Sequence, residues 1–305
     1  MTTSNSTQCT AATSGLHDFL KNFETPSTAY RGKPFWCWNG ELEEDELIRQ
    51  IGVFAEMGMG GFFMHSRTGL RTEYLGDEWF SLINACAEEA DRLGMEAWLY
   101  DEDRWPSGSA GGLATQELRY RMRYMRMHIL DTWKDLSDCS AGELECFAAK
   151  VDGLHLECYR SVPFASTTRL EEGAVVLVFT WEYSEPNSFY NGATYLNTLD
   201  RDATQKFIEI THEAYKKANG KHFGKTIKGI FTDEPHRGFV MCDQQLQPGV
   251  NDSAWASPYT EKLFPEFEAA FGYDLRARLP ELFLRLQGHA VSHVKWAYME
   301  LIQRM

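Results

Sequence analysis

The run MGGFFMHS at 59–66, followed by DEWFSLINACAEEADRLG at 77–94 and MEAWLYDEDRWPSG at 95–108, decides the architecture. Short apolar runs rich in β-formers read as buried strands. The stretch between them opens on acidic residues, carries an apolar stripe at helical spacing and stops at Gly94, as a helix does. Strand, helix and strand in that order make a βα unit of a parallel sheet. Working outward, KPFWCWNG (33–40) and ELEEDELIRQIGVFAEMG (41–58) supply the unit before. DATQKFIEITHEAYKKANG (202–220) and KTIKGIFTDEP (225–235) supply a later helix and strand. The sequence therefore predicts an α/β chain with four βα units.

The four strand runs begin at residues 33, 59, 95 and 225. The last interval exceeds a usual unit by roughly 100 residues, so something is inserted. Within it RMRYMRMHILD, LECFAAKV, LHLECYRSV and GAVVLVFTWEY place β-formers between turn residues, which predicts a β-rich insertion over 122–195 lying outside the parallel sheet. The expected organisation is a polar lead over 1–30, units one to three over 31–121, the insertion, and unit four with helices over 196–305. After Pro235 the segments SPYTEKLFPEFEAAFG, DLRARLPELFLRL and HAVSHVKWAYMELIQRM read as a loop and helices, with no fifth strand. A (β/α)8 barrel takes about 250 residues. Four units are half of one, so the expectation is a truncated barrel of weak activity. Its last helices should leave Leu282, Phe283, Val294, Trp296 and Leu301 uncovered, inviting self-association or a partner chain.

Composition excludes several functions. The 305 residues carry 30 Lys and Arg against 44 Asp and Glu, a net charge of −14, which argues against nucleic acid or an anionic membrane as the partner. Neutral substrates suit this surface better. The seven cysteines, Cys9, Cys37, Cys86, Cys139, Cys146, Cys158 and Cys242, include no CxxC pair, so neither a disulfide framework nor a zinc knuckle is written here. Residues 1–15 lack the basic start and apolar core of a secretory signal, and a cytoplasmic location is expected. The glycine-rich 57–61 stretch precedes a strand, the wrong side for cradling a pyrophosphate.

Parallel βα architectures gather their chemistry at the carboxyl ends of the strands. Those ends carry Trp36, Trp38 and Asn39; His65 and Arg67; Tyr100, Asp101, Glu102, Asp103 and Trp105; and Asp233, Glu234 and His236. Carboxylates among aromatic, amide and cationic groups are what a sugar site requires. Rings stack on pyranose C–H faces, polar groups take hydroxyls, and two carboxyls handle the proton and the anomeric carbon. Alternation puts Trp36 and Trp38 on one side of the first strand, which makes them candidate stacking platforms with Trp105. His65, Asp101, Asp233 and His236 could also be cast as ligands of a metal-dependent hydrolase. No HxH stands on the first strand and no HExxH anywhere, so the metal is left unknown.

The segments KPFWCWNGEL, MGMGGFFMHSRTGL, AWLYDEDRWPSGSAGG, IKGIFTDEP and FGYDLRARLPELF resemble the N-terminal half of the catalytic barrel of large bacterial glycoside hydrolases of the α-L-rhamnosidase type, family 106 and its unclassified relatives. DEDRWPSG and FTDEP are the most specific parts. The resemblance implies a (β/α)8 TIM-barrel type fold and hydrolysis of a glycosidic bond, in an α-L-rhamnoside or a galactoside. It also implies a carboxylate pair and a calcium ion. Glu234, ahead of a proline that ends the fourth strand, is the expected general acid, with Glu102 and Asp101 as further catalytic carboxylates. Trp36, Trp38, Asn39, His65, Arg67, Tyr100, Asp103, Trp105, Asp233 and His236 are the expected substrate contacts. A catalytically inactive carbohydrate-binding fragment is the alternative reading.

Overall fold

The computed structural model describes residues 19–132, 142–164, 169–238 and 256–305. The expected polar start at 1–15, and Cys9, Cys139 and Cys242, lie outside the described residues. In chain order the strands and helices are β1 (Phe35–Trp38), α1 (Glu44–Glu56), β2 (Gly61–Ser66), α2 (Asp77–Arg92), β3 (Glu96–Tyr100), β4 (Arg123–Leu130), β5 (Gly142–Asp152), β6 (His155–Ser161) and β7 (Val175–Tyr183). There follow α3 (Arg201–Ile210), α4 (His212–Asn219), β8 (Ile227–Phe231), β9 (Ala256–Pro258), α5 (Leu263–Phe271), α6 (Leu279–Phe283), β10 (Arg285–Leu286) and α7 (His293–Arg304). The chain divides into two compact units, Met1–Gly111 with Ile208–Glu234, and Gly112–Phe207 with Pro235–Met305. Among the described residues, no helix is long and apolar enough to cross a membrane.

In the first unit β1, β2, β3 and β8 form one parallel sheet in that spatial order. Consecutive parallel strands joined by right-handed crossovers put every connecting helix on the same face. The packing shows this. Trp36, Trp38, Phe62, Met64, Ala97 and Leu99 bury against Leu47 and Ile51 of α1, Trp79, Leu82 and Ile83 of α2, and Tyr215 of α4. The opposite face carries Phe35, Phe63 and Trp98, in register across β1 to β3, and Phe231 of β8, whose register partner is Tyr100. β1 and β8 are three strand positions apart, which in a flat sheet means about 14 Å at 4.8 Å per strand. The rings of Phe35 and Phe231 nevertheless lie 5.0 Å apart. The sheet is therefore strongly curved, with this aromatic face on its concave side, and Phe35 stays 51 % exposed there.

Close strand approach depends on Gly61, where an added Cβ would sit 2.1 Å from the Glu96 carbonyl oxygen. Backbone cannot step aside as a flexible side chain can, so Gly61→Ala should separate β2 from β3. The expected result is a loss of several kcal/mol, on the order of 3, read as an earlier loss of far-UV ellipticity on heating.

In the second unit six strands form a sheet in the order β10, β6, β5, β7, β4, β9. β4 to β7 and β9 pair antiparallel, and β10 pairs parallel with β6. One face of this sheet, through Met125, Met127, Phe147, Leu177 and Phe179, packs on α5, α6 and α7. Here the structure departs from the expectation that 196–305 belongs with the fourth parallel strand. Residues from 235 onward join the second unit and add two strands to its sheet. Strands of two and three residues hold too few positions for alternation to be read, which is why none was expected. Leu282, Phe283, Val294 and Leu301 are consequently buried rather than uncovered; of the five, only Trp296 is exposed. Among the described cysteines, Cys37, Cys86 and Cys158 are free thiols.

Candidate active site

The carboxyl end of β3 is built from the inside outward. The Trp79 indole N–H donates to the Tyr215 hydroxyl at 3.1 Å, and that hydroxyl donates to the Tyr100 carbonyl at 3.0 Å. Tyr100 stacks on His65 with ring centroids 3.6 Å apart. Its hydroxyl donates to Asp233 Oδ2 at 3.0 Å. Burial and the neighbouring Asp233 carboxylate push the Tyr100 phenol up, so it stays a donor at any working pH.

Past Tyr100 the loop is bound to the end of β8 by further hydrogen bonds. Thr232 donates its hydroxyl to Asp101 Oδ2 at 2.6 Å, and Ser107 donates its own to Asp101 Oδ1 at 2.5 Å. The Ser107 N–H donates to the Asp233 carbonyl, while the Asp233 N–H donates to Ser107 Oγ, each at 2.9 Å. The Trp105 indole N–H donates to Glu234 Oε2 at 3.0 Å. Ser66, at the end of β2, donates its hydroxyl to Asp103 Oδ1 at 2.7 Å. Arg104 stands 3.7 Å from the other Asp103 oxygen.

These contacts separate the acidic residues that the sequence presents as one cluster. Asp101 is 0 % exposed, both oxygens hold hydroxyl donors, and His212 Nε2 stands 3.5 Å away. Burial raises its carboxyl, and the two hydroxyls and His212 pull it back. Glu102 is 2 % exposed and accepts five backbone N–H donors, from Asp103, Gly108, Ser109, Ala110 and Gly111. Burial lifts its carboxyl to about 7 against the pull of those amides. Neither side chain can reach a substrate, so the expectation that Asp101 and Glu102 are catalytic is corrected: both hold the loop. Glu234 is exposed, and its backbone stands at φ 45°, the left-handed region that a residue with a side chain enters at a cost.

Trp36 and Trp38 are likewise corrected. They share one side of β1, as alternation predicts, but it is the helix-facing side. Trp36 packs on Trp38, Phe54 and Phe62 and donates to Gln50 Oε1 at 2.7 Å, while Trp38 packs on Trp79 at 1 % exposure. Only Trp105 of the three, 40 % exposed, offers a ring to solvent. Asn39 and Arg67 are exposed just past β1 and β2. His236 falls in the second unit, stacked on Tyr195 at 4.0 Å, with Nε2 at 3.3 Å from the Tyr190 hydroxyl and Nδ1 accepting the Gly238 N–H. The structure thus brings His65, Tyr100, Asp103, Trp105, Asp233 and Glu234 into the first unit's strand ends and sets His236 among the second unit's aromatics. Ser66 and Thr232 stand at the ends of β2 and β8, where the sequence already places polar residues, whereas Ser107 and His212 contribute without a sequence signal, one a common loop residue and the other on a helix.

The calcium ion implied by the resemblance does not fit the described residues. The oxygens of Asp101 and Glu102 are taken by hydroxyl and amide donors, and no group of three His, Cys, Asp or Glu suited to an ion occurs among the described residues.

His65 is buried and its Nδ1–H donates to the Ser66 carbonyl at 2.7 Å. Burial, with the Arg67 charge, holds its imidazole below the ordinary value. The unfolded chain, titrating near pH 6.5, then binds more protons than the folded one, so stability is lost as pH falls below about 6.5. His65→Phe should give a shallower acid limb in urea midpoints between pH 7 and pH 5. An unchanged slope would show that His65 is not the titrating group.

No protein-family model matches the chain, and no curated protein matches it in sequence. Among solved structures it is similar to "Structure of Rhamnosidase from Novosphingobium sp. PP1Y", with a TM-score of 0.52 and 13 % identity. That similarity covers 92 % of this chain and 44 % of the other, so the chain spans less than half the length of that protein. At this identity the likeness concerns the fold: a distant structural relationship to a glycosidase, on a mixed α/β framework.

Proposed function

We propose that the first unit is half of a (β/α)8-type barrel of the α-L-rhamnosidase kind, family 106 or its unclassified relatives, and that its strand ends form a glycoside-hydrolase site. The concave aromatic face is in that reading the interior of the barrel, closed by further strands. The observation that carries the proposal is Glu234: an exposed carboxylate in a left-handed backbone conformation at the end of the fourth parallel strand, held by the indole N–H of an exposed tryptophan. A carboxyl so placed can donate a proton to a leaving glycosidic oxygen, and the indole donor fixes its direction. Asp233, oriented by Tyr100, and the exposed Asn39 and Arg67 supply groups for sugar hydroxyls, and the Trp105 ring supplies a stacking face. Asp103 and Asp233 are the remaining carboxyls at these ends for the second role that hydrolysis needs.

The test is turnover of aryl α-L-rhamnoside and aryl β-galactoside by the purified chain, beside binding of the free sugars followed by tryptophan fluorescence. Turnover supports the proposal. Binding without turnover leaves the carbohydrate-binding alternative, which the withdrawal of Asp101 and Glu102 from chemistry favours. Neither turnover nor binding would overturn both.

A further inference from the structure

The loop after β3 is wrapped around a carboxylate. Gly108, Ala110 and Gly111 have φ of 149°, 51° and 64°, and these turns aim successive N–H groups at one point. The point is occupied by Glu102, whose Oε2 accepts from Gly108, Ser109 and Ala110 at 2.9, 2.7 and 2.8 Å, and whose Oε1 accepts from Asp103 and Gly111 at 3.0 and 2.5 Å. Convergent backbone amides of this kind form an anion-binding concavity. Here the anion is a side chain of the same loop. The cost is visible at Ala110, a non-glycine residue in the left-handed region, and the five backbone hydrogen bonds to Glu102 offset it.

The loop's contacts with the ends of β2 and β8 lie within this arrangement. Between Glu102 and the amides it gathers lie Asp103, which accepts from Ser66, Trp105, which donates to Glu234, and Ser107, which bonds Asp101 and both backbone groups of Asp233. We propose that Glu102 is a positioning residue: a buried internal anion around which residues 103–111 fold, so that the Trp105 indole reaches Glu234 and Ser107 holds Asp233. Emptied of its side chain, the same nest should take a small free carboxylate. The proposal rests on the reading of Glu234 as the working carboxyl, but its geometry is measurable without any activity.

The experiment uses the full chain with Glu102→Ala, titrated with sodium formate against sodium chloride at equal ionic strength. The readout is the Trp105 indole N–H resonance, assigned by its absence in Trp105→Phe. The variant alone should lose the wild-type resonance position, and formate at tens to hundreds of millimolar should restore it where chloride does not. If the wild type turns over an aryl glycoside, kcat should fall at least tenfold in the variant and recover with formate, with KM moving less. Should Glu102→Ala not fold, Glu102→Gln keeps the volume but turns an amide donor toward the nest. It is expected to shift the same resonance and to gain nothing from formate. A wild-type Trp105 resonance in either variant, or equal effects of formate and chloride on Glu102→Ala, would overturn the proposal. Absence of turnover in the wild type would overturn the glycosidase reading and leave the resonance result standing.

Discussion

On the proposed glycosidase reading, Glu234→Gln should slow glycoside hydrolysis by about 10²–10⁴-fold while leaving the protein as stable as before. Glutamine has nearly the volume of glutamate and keeps an oxygen to accept the Trp105 indole N–H, so the contact seen at 3.0 Å survives. The side chain is exposed, so no buried charge is gained or lost. What disappears is the transferable proton, and general acid–base groups are worth about 10²–10⁴-fold in rate. The loss should appear in kcat for aryl α-L-rhamnoside, most strongly for poor leaving groups, which need protonation more. A phenol of low pKa should recover part of the rate. A variant that hydrolyses as fast as the wild type would remove Glu234 from the mechanism, and an equal loss of thermal stability would show that its role is structural.

Trp38→Ala should unfold the first unit well before the second. The ring is enclosed by Trp36 and Trp79 between the sheet and its helices, so truncation removes a whole indole from a packed core. Such changes cost about 3–5 kcal/mol, against total stabilities of about 5–15 kcal/mol. Trp105→Ala, at an exposed ring, should cost less than about 1 kcal/mol and, on the proposed reading, weaken sugar binding. The indole N–H of Trp38 has no partner among the described residues. Trp38→Phe should therefore be milder than the alanine change, because it retains an aromatic ring and removes a buried unpaired donor. Urea unfolding followed by ellipticity separates these cases. If Trp38→Ala were silent and Trp105→Ala severe, the assignment of platform and core would be inverted.

The parallel strands were legible because each combines a short apolar run with a following helical stripe, and local period is a property of neighbouring residues. The same patterns located the four strand ends, and with them Tyr100, Asp103, Trp105, Asp233 and Glu234. Alternation told that Trp36 and Trp38 share a side of β1; it could not tell which side the helices cover. That depends on the sense of the crossovers and the curvature of the whole sheet, shown by the approach of Phe35 to Phe231. Asp101, Glu102 and Asp103 are alike in sequence, yet Asp101 is spoken for by Thr232, 131 positions away, Asp103 by Ser66, and Glu102 by five amides of its own loop. The path after Pro235 was equally hidden, since an apolar helix face fits whichever sheet lies nearest. Sequence by itself determined the four parallel strands, the helices between them and the polar residues at the strand ends. Which carboxylates reach water was decided by tertiary structure, because a carboxylate's chemistry is set by the donors around it, and those come from parts of the chain that only folding brings together.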